Sequence, residues 1–222
     1  AGRPSRAPVR LLPEGLANYL LRLGWSHGDD EIIPRDKALS WFDITGINRA
    51  PARLDQGKLE FTNAHYMKLL SDEEFVARAA PFFAAAGHAV DADTHAMLTR
   101  AASFLKERAP TLAKAPEAAA FLFLKRPLDL SGKAGKALEK EGARGLVSAV
   151  AAALKEARFD SAAGLEEALK AAAAAAGVGF GAVGPAVRAA LTAGLAAPSL
   201  GEVLFALGRE ESLARLNDAA TS

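Results

Sequence analysis

Apolar residues in this chain recur at the three- and four-residue spacing of an α-helix, and this pattern limits the possible folds more than any other feature. The clearest example follows Pro13, where four side chains occupy positions i, i+3, i+4 and i+7: Leu16, Tyr19, Leu20 and Leu23. Three later segments are rich in alanine and leucine, which favour helices: residues 94–109, 133–157 and 161–176. No segment alternates apolar and polar residues convincingly, as a half-buried strand would. The sequence therefore predicts an all-α fold.

Helix boundaries are marked by proline, glycine and capping residues. Pro13 and Gly24 bracket the first helix, and Pro34 predicts a short second helix through Phe42. Two serine–glutamate pairs form capping-box patterns: Ser71 with Glu74, and Ser199 with Glu202. Turn-forming residues predict connections at 44–61, 86–93 and 125–135.

Composition excludes several classes of protein. The chain has no cysteine, which excludes a disulfide scaffold, thiolate catalysis and cysteine-ligated metals. The most apolar tract, residues 171–208, contains Pro185, Arg188, Pro198 and Glu202, and these residues argue against a bilayer span. The first residues carry positive charge but no apolar stretch long enough for a signal-peptide core. We therefore expect a soluble, cytoplasmic protein.

Positive charge is concentrated in the middle of the chain, although the net charge is only +1. Residues 100–145 contain five acidic residues and ten basic ones. The basic residues are Arg100, Lys106, Arg108, Lys114, Lys125, Arg126, Lys133, Lys136, Lys140 and Arg144. Such a segment can hold a polyanion, or it can be the solvated surface of ordinary helices. The sequence alone leaves both interpretations open.

The residues offer no self-contained catalytic set. His27, Asp29, Asp30 and Glu31 form the densest cluster of possible ligands, but adjacent acids point in different directions, so we expect a structural turn and no metal site. The segment "SGKAGK" at 131–136 lacks the spacing, the preceding strand and the final hydroxyl of a phosphate-binding loop. The other histidines stand apart, and no serine lies in a G-x-S-x-G elbow.

Four blocks of sequence, in the same order, resemble the bacterial-type glutamyl-tRNA synthetases. They are "LPEGLANYLLRLGWSHGDDEI" (12–32), "WFDITGINRAPARLDQGKLEFTNAHYMK" (41–68), "LKERAPTLAKAPEAAAFLF" (105–123) and "VGPAVRAALTAGLAAPSLGEVLFALGREESLARL" (183–216). The resemblance implies a helical stem-contact region (1–88) followed by two helical anticodon-binding subdomains (89–130 and 131–222). Its expected partner is tRNA(Glu), with tRNA(Gln) left open, and the expected state is a monomer.

The resemblance implies a parent enzyme that joins glutamate to its tRNA with ATP and Mg²⁺. The family's HIGH-type and KMSKS-type signatures do not occur in this sequence. We therefore expect the chain to bind RNA without a cofactor of its own and to be inactive alone. Two alternatives remain: an alanine-rich helical module that binds a protein and no RNA, and a complete small enzyme whose histidines converge.

The same resemblance assigns the anticodon-reading residues. By position they are Arg188, Ala197, Pro198 and Leu200 in the last region, together with Arg108, which the family places near the third anticodon base. Unpaired bases expose their pairing edges, which arginine can bind by paired hydrogen bonds or by stacking. Because Pro185 precedes Arg188 by three residues, we expect Arg188 in the first turn of a helix.

The sequence departs from the family pattern at three places. Residues 1–10 do not look like the family's usual run into this region. Ala197 stands where relatives often have a serine or threonine that can bond a base, and Ala193 stands where they often have glycine.

Overall fold

The computed structural model describes residues 10–48 and 51–221, and this part of the chain forms eleven α-helices. In chain order they are α1 (Pro13–Gly24), α2 (Arg35–Trp41), α3 (Gln56–Leu69), α4 (Asp72–Ala85), α5 (Ala92–Arg108), α6 (Ala115–Ala118), α7 (Gly132–Leu138), α8 (Ala143–Glu156), α9 (Ala162–Ala175), α10 (Phe180–Thr192) and α11 (Leu200–Thr221). Short 3₁₀ turns lie at Ile44–Gly46, Leu112–Lys114 and Ala120–Phe123. Within the described residues, strand-type pairing is limited to one isolated bridge between Trp25 and Ile47. The all-α prediction is confirmed.

Polar side chains begin several helices by accepting hydrogen bonds from free backbone N–H groups. Both predicted capping boxes are confirmed. Ser71 Oγ accepts from Glu74 N at 3.2 Å while Glu74 Oε2 accepts from Ser71 N at 3.1 Å. Ser199 and Glu202 exchange the same pair of bonds at the start of α11.

Three boundaries differ from the sequence prediction. The expected connection at 44–61 ends at residue 55, because Asp55 accepts from Lys58 N and starts α3. The expected helical segment 133–157 is divided into α7 and α8, and Gly142, with φ of 75°, lies between them. Helix α10 starts at Phe180, so Arg188 does not lie in its first turn. Pro185 lies inside α10 as its sixth residue, where it removes the one intrahelical hydrogen bond that its N–H would have donated.

One contiguous apolar core extends from Leu12 to Ala219. Helix α11 packs against α5, α8, α9 and α10, and α4 packs against α5. The first part of the chain joins this core through α3, which contacts α1 on one side and α5 on the other. The division into regions at residues 88 and 130 stays a proposal, because the core crosses both positions.

Asn63 fixes the contact between α1, α3 and the chain that follows α5. Its Oδ1 accepts from Leu12 N at 2.7 Å, and its Nδ2 donates to the Pro110 carbonyl at 2.9 Å. Helix α1 approaches so closely that a Cβ on Gly15 would lie 2.9 Å from Asn63 Cα. The N-terminal helices are thereby held against the segment that begins at Pro110.

No single helix among the described residues is long and apolar enough to cross a bilayer. Helices α9 and α10 meet that test only as a pair, and the pair is bent by 119°.

Candidate nucleic-acid interface

A cleft of about 380 Å³ lies between the end of α5 and the loop that joins α10 to α11. Arg108, the last residue of α5, is exposed at its edge. The lining residues are Arg108, Pro110, Lys114, Glu117, Ala118 and Ala196. Two segments about 90 residues apart in the chain therefore form one concave surface. In the sequence, only the resemblance to a known family connected these two segments.

Within the cleft, Lys114 Nζ lies 2.8 Å from Glu117 Oε2. The hydrogen bond from Lys114 lowers the pKa of the Glu117 carboxyl, so Glu117 is charged at neutral pH. Arg108 has no ion pair or hydrogen bond with another described side chain. The cleft thus presents a free guanidinium beside a paired lysine and a carboxylate acceptor.

Arg188 points from α10 to the same loop. Its Nη1 donates to the Pro198 carbonyl at 2.7 Å and to the Ala197 carbonyl at 3.4 Å. Its Nε and Nη2 have no hydrogen-bond partner among the described residues. The guanidinium therefore holds the loop with one nitrogen, and its other two nitrogens are unpaired among the described residues.

The loop itself is short and tightly bent. Ala193 and Gly194 both adopt left-handed backbone conformations, with φ of 50° and 78°. Ala196 is exposed and Ala197 partly exposed, whereas Pro198 and Leu200 are buried, Leu200 with 3% of its surface accessible. The structure therefore brings Arg188, Ala197 and Pro198 together, while the Leu200 side chain belongs to the core.

The first turn of α11 packs on α9. Gly201 N donates to Glu166 Oε2 at 2.9 Å, and a Cβ on Gly201 would lie 2.2 Å from the Ala162 carbonyl oxygen. This end of α11 is consequently occupied by a carboxylate of the protein.

A row of lysines lies along α7, next to the loop. Lys133, Lys136 and Lys140 follow at intervals of three and four residues along and just beyond α7, and all three are exposed. The opposite face of α7 is buried through Ala134 and Leu138. A Cβ on Gly194 would lie 3.8 Å from Ala134 Cβ, so α7 is adjacent to the loop. We call these three residues the α7 lysine row.

Only half of the cationic side chains in the basic middle segment are unpaired among the described residues. Five of its ten cations bind the protein: Arg100, Lys106, Lys114, Arg126 and Arg144. The other five have no ion pair or hydrogen bond with another described residue: Arg108, Lys125, Lys133, Lys136 and Lys140. Four of these five lie near the loop: Arg108 at the edge of the cleft, and the three residues of the α7 lysine row. The interface is therefore positive around residues 193–198.

A family model described as an anticodon binding domain matches residues 74–220. The chain belongs to this anticodon-binding family. The matched range contains both walls of the cleft, Arg188 and the α7 lysine row.

The chain is also similar over nearly its whole length to glutamate–tRNA ligases. It is 44% identical to glutamate–tRNA ligase 2 of Rhizorhabdus wittichii over 96% of this chain and 45% of that relative. It is 44% identical to glutamate–tRNA ligase 1 of Hyphomonas neptunium over 93% of this chain and 42% of that relative. The chain thus spans less than half the length of these curated relatives.

A solved structure has the same architecture. The crystal structure of a glutamate tRNA ligase from Elizabethkingia meningosepticum, in complex with its amino acid, matches with a TM-score of 0.79 and 26% identity. The match covers 96% of this chain and 42% of that chain. The resemblance found in the sequence is confirmed, and the comparisons do not support the alternative of a helical protein-binding module.

The most important residues that the sequence did not reveal are arginines of this anticodon-binding fold that donate to backbone carbonyls, and one of them, Arg215, is deeply buried. Arg100 Nε and Nη2 donate at 3.1 Å to the carbonyls of Phe205 and Ala206, at a bend in α11 where Gly208 has φ of 79° and ψ of 171°. Arg209 donates to the last carbonyls of α8, and Arg144 to the Ala219 carbonyl. Arg215, with 1% of its surface accessible, donates to four carbonyls.

These arginines stabilise helix ends, where free carbonyls and the helix dipole favour a cation. In the sequence each of them looks like an ordinary surface charge. Arg215, for example, stands four residues after Glu211, which is the spacing of an exposed helical ion pair. The periodicity of the sequence does not predict the contacts that these arginines make with backbone carbonyls.

The His27 cluster is a turn that packs on aromatic rings. The His27 ring stacks on Trp41 with ring centres 4.2 Å apart, and its Nδ1 lies 3.6 Å from Asp30 Oδ2. Gly28, with φ of 55°, forms the turn, and Asn18 Nδ2 donates to the Glu31 carbonyl at 2.9 Å. The turn predicted from the sequence is confirmed.

The described residues do not fit an ATP or Mg²⁺ site. They contain no group of three or more His, Cys, Asp or Glu side chains that could hold a metal ion. The "SGKAGK" segment begins α7 after an irregular connection and no strand, so its backbone does not form a phosphate-binding loop. We therefore derive no catalytic step from these residues.

Proposed function

We propose that this chain is the tRNA-binding part of a glutamate–tRNA ligase and that it recognises the anticodon of tRNA(Glu). The observation that carries the proposal is the cleft between Arg108 and Ala196, because it lies within the matched anticodon-binding range and joins the two segments to which the sequence assigned base reading. Its volume of about 380 Å³ and its mixture of apolar and charged lining suit an unstacked base.

Each candidate residue has a distinct proposed role. Arg108 and the free nitrogens of Arg188 bind base edges, since a guanidinium offers paired donors in a fixed plane. Ala197, which is partly exposed, forms the surface on which a base rests, and the buried Pro198 supports it through the carbonyl that accepts from Arg188. Because the Leu200 side chain is buried, we propose that Leu200 acts through the backbone at the start of α11.

The α7 lysine row has a second role in the proposal. Exposed lysines neutralise phosphates and release condensed counterions, which adds affinity without base preference. The row lies beside the loop at Gly194, so a strand whose bases enter the cleft can lay its backbone along α7.

We extend the proposal to the whole protein of which this chain would be part. That protein would charge tRNA(Glu) with glutamate in the cytoplasm, using ATP and Mg²⁺ bound outside the present residues, and would act as a monomer. Residues 1–88 would form a helical stem-contact region, with anticodon-binding subdomains at 89–130 and 131–222. Whether tRNA(Gln) is also a substrate depends on contacts near Arg108 and Arg188.

The experiment is a gel-shift assay with three RNAs: a transcript of tRNA(Glu), the same transcript with its three anticodon bases changed, and an unrelated tRNA. We expect the first to bind most tightly and the changed anticodon to bind like the unrelated tRNA. Equal affinity for all three RNAs would contradict anticodon recognition. Failure to bind any RNA would contradict the proposed function as a whole.

A further inference from the structure

Arg215 is the most deeply buried charged residue among those described, yet each of its side-chain nitrogens donates a hydrogen bond. Its Nε donates to Glu211 Oε1 at 2.6 Å. Its two terminal nitrogens donate to four backbone carbonyls, at distances of 2.8 to 3.3 Å: Phe121, Leu122, Leu124 and Leu191. A guanidinium has five N–H donors in one plane, and here one side chain supplies all these contacts.

The four carbonyls lie beneath the two walls of the cleft. Three of them belong to the turn at residues 120–124, which directly continues α6 and the Lys114–Ala118 wall. The fourth, Leu191, lies in the last turn of α10, two residues before the loop leaves at Ala193. One buried side chain therefore binds the base of both walls at once.

We propose that Arg215 is a positioning residue that sets the separation of Arg108 and Ala196 and so determines how selectively the cleft binds a base. This inference rests on the proposed anticodon recognition. Arg215 itself touches no ligand, because it is closed off from solvent. Its effect passes through the 120–124 turn and the end of α10, both of which accept hydrogen bonds from its guanidinium.

Lysine is the informative substitution at this position. Arg215→Lys keeps the positive charge near Glu211 but has a single nitrogen, which cannot reach carbonyls in several directions. The two walls then lose their common anchor. The α7 lysine row is not affected, so contacts with phosphates should persist.

The experiment compares the affinity of each variant for the tRNA(Glu) transcript and for the transcript with a changed anticodon. For Arg215→Lys we expect the ratio of the two affinities to fall by at least about 5-fold, which is the lower range for losing one well-placed base contact. Affinity for the changed transcript and its dependence on salt should stay as in the parent chain. An unchanged ratio in the folded variant would overturn the inference.

Arg209→Lys is the matched control. Arg209 also lies on α11 and also donates to helix-end carbonyls, those of Leu154, Lys155 and Ala157, but these belong to α8 and line no part of the cleft. We expect this variant to lose stability without losing selectivity. If both lysine variants lost selectivity equally, Arg215 would have no special positioning role.

Glu211 supplies a second test if Arg215→Lys does not fold, as judged by circular dichroism. Glu211→Gln keeps an oxygen acceptor for Arg215 Nε, whereas Glu211→Ala removes it and frees the guanidinium to tilt. We expect the alanine variant to lose selectivity and the glutamine variant to retain it. Equal selectivity in both would overturn the inference, whereas a parent chain without any selectivity would first contradict the proposed function.

Discussion

Arg188 divides its guanidinium between the protein and solvent, and this division separates two possible roles. Nη1 holds the loop at Pro198 and Ala197, whereas Nε and Nη2 have no partner among the described residues. A residue that only anchored the loop would tolerate lysine, which can make the same single bond. A residue that also binds a base edge would not, because lysine lacks the planar pair of donors.

We therefore expect Arg188→Lys to lower the preference for the tRNA(Glu) anticodon by roughly 1–3 kcal/mol, the usual worth of a paired contact to a base. The salt dependence should change little, since the charge is kept. The measurement is binding of two transcripts that differ in the anticodon, at three salt concentrations. If Arg188→Lys binds both transcripts like the parent chain, Arg188 only anchors the loop. Arg188→Ala serves as the comparison that removes both charge and anchor.

Ala193 carries backbone strain next to the interface. Its φ of 50° lies in the left-handed region, where a Cβ meets the backbone and glycine does not. Ala193→Gly should therefore stabilise the fold by roughly 0.5–1 kcal/mol, the strain relieved less the added freedom of the unfolded chain.

Ala157→Gly is the control for that prediction, because Ala157 ends α8 just as Ala193 ends α10 but has a φ of −70°. Glycine there relieves no strain and should destabilise the protein. Urea unfolding of the three proteins gives the comparison. A lower stability for Ala193→Gly would show that Ala193 is not strained in solution.

At the scale of elements, the helices that begin with a proline or a capping side chain were predictable. Helices α1 and α4 start where the sequence indicates, since proline at a first turn and a capping box act locally. Helix α3 was missed because its apolar stripe is weak. Helix α10 was placed too late because the residues between Phe180 and Pro185 are glycine, alanine and valine, which mark no helix start. Local patterns of this kind cannot report which tertiary contacts hold a weak turn.

The candidate site was predictable in part for the same reason. Resemblance gave Arg108, Arg188 and the loop. The cleft between Arg108 and Ala196, however, rests on the contacts of Arg215, whose partners lie up to 94 residues away in sequence. No spacing in the sequence encodes such a contact. Leu200 differs from these residues, because resemblance assigned it to the site whereas its side chain faces the core.

Helix α5 offers a test of how one element depends on pH. Asp91 Oδ1 accepts from Thr94 N at 2.8 Å, and this backbone hydrogen bond lowers the pKa of the Asp91 carboxyl below its ordinary value of 3.8. A lowered pKa adds stability that is present above the ordinary value and disappears as pH falls through the folded-state value. Asp91→Asn keeps the accepting oxygen but removes the charge.

We expect Asp91→Asn to be less stable than the parent chain at pH 6, with the difference shrinking as pH falls below 3.8. Asp91→Ala should be less stable than both at every pH, because it lacks the cap. Urea unfolding across pH 3 to 6 checks the order. A gap between parent and Asp91→Asn that grows in acid would contradict the assigned direction of the pKa.

For the whole molecule, the net charge does not show that the cations fall into two groups with different contacts. Buried or half-buried arginines neutralise helix ends, while the exposed cations near the interface form the α7 lysine row and the edge of the cleft. The salt dependence of RNA binding should therefore correspond to fewer phosphate contacts than the ten cations of residues 100–145 could make. It should depend mainly on the lysine row.

Replacing Lys133, Lys136 and Lys140 together by alanine should weaken binding to every RNA alike. Each lost phosphate contact lowers the slope of log affinity against log salt by about one unit. The preference between anticodons should not change, because the row reads no base. Lys155→Ala, an exposed lysine at the end of α8, is the control and should leave the slope unaltered. An unchanged slope in the triple variant would exclude the row from RNA contact.

The bend in α11 also divides this helix into two lengths of backbone with separate supports. In residues 200–207, the last carbonyls accept hydrogen bonds from Arg100. Residues 209–221 are held through Arg215. Gly208 lies between the two lengths in a conformation that interrupts the run of helical hydrogen bonds. Cooperative opening spreads along uninterrupted helix but not readily across such a break. Amide hydrogen exchange should therefore show two levels of protection along α11, and Arg100→Lys should speed exchange in residues 200–207 more than in 209–221. A single protection level that shifts as a whole would mean that the two lengths open as one unit.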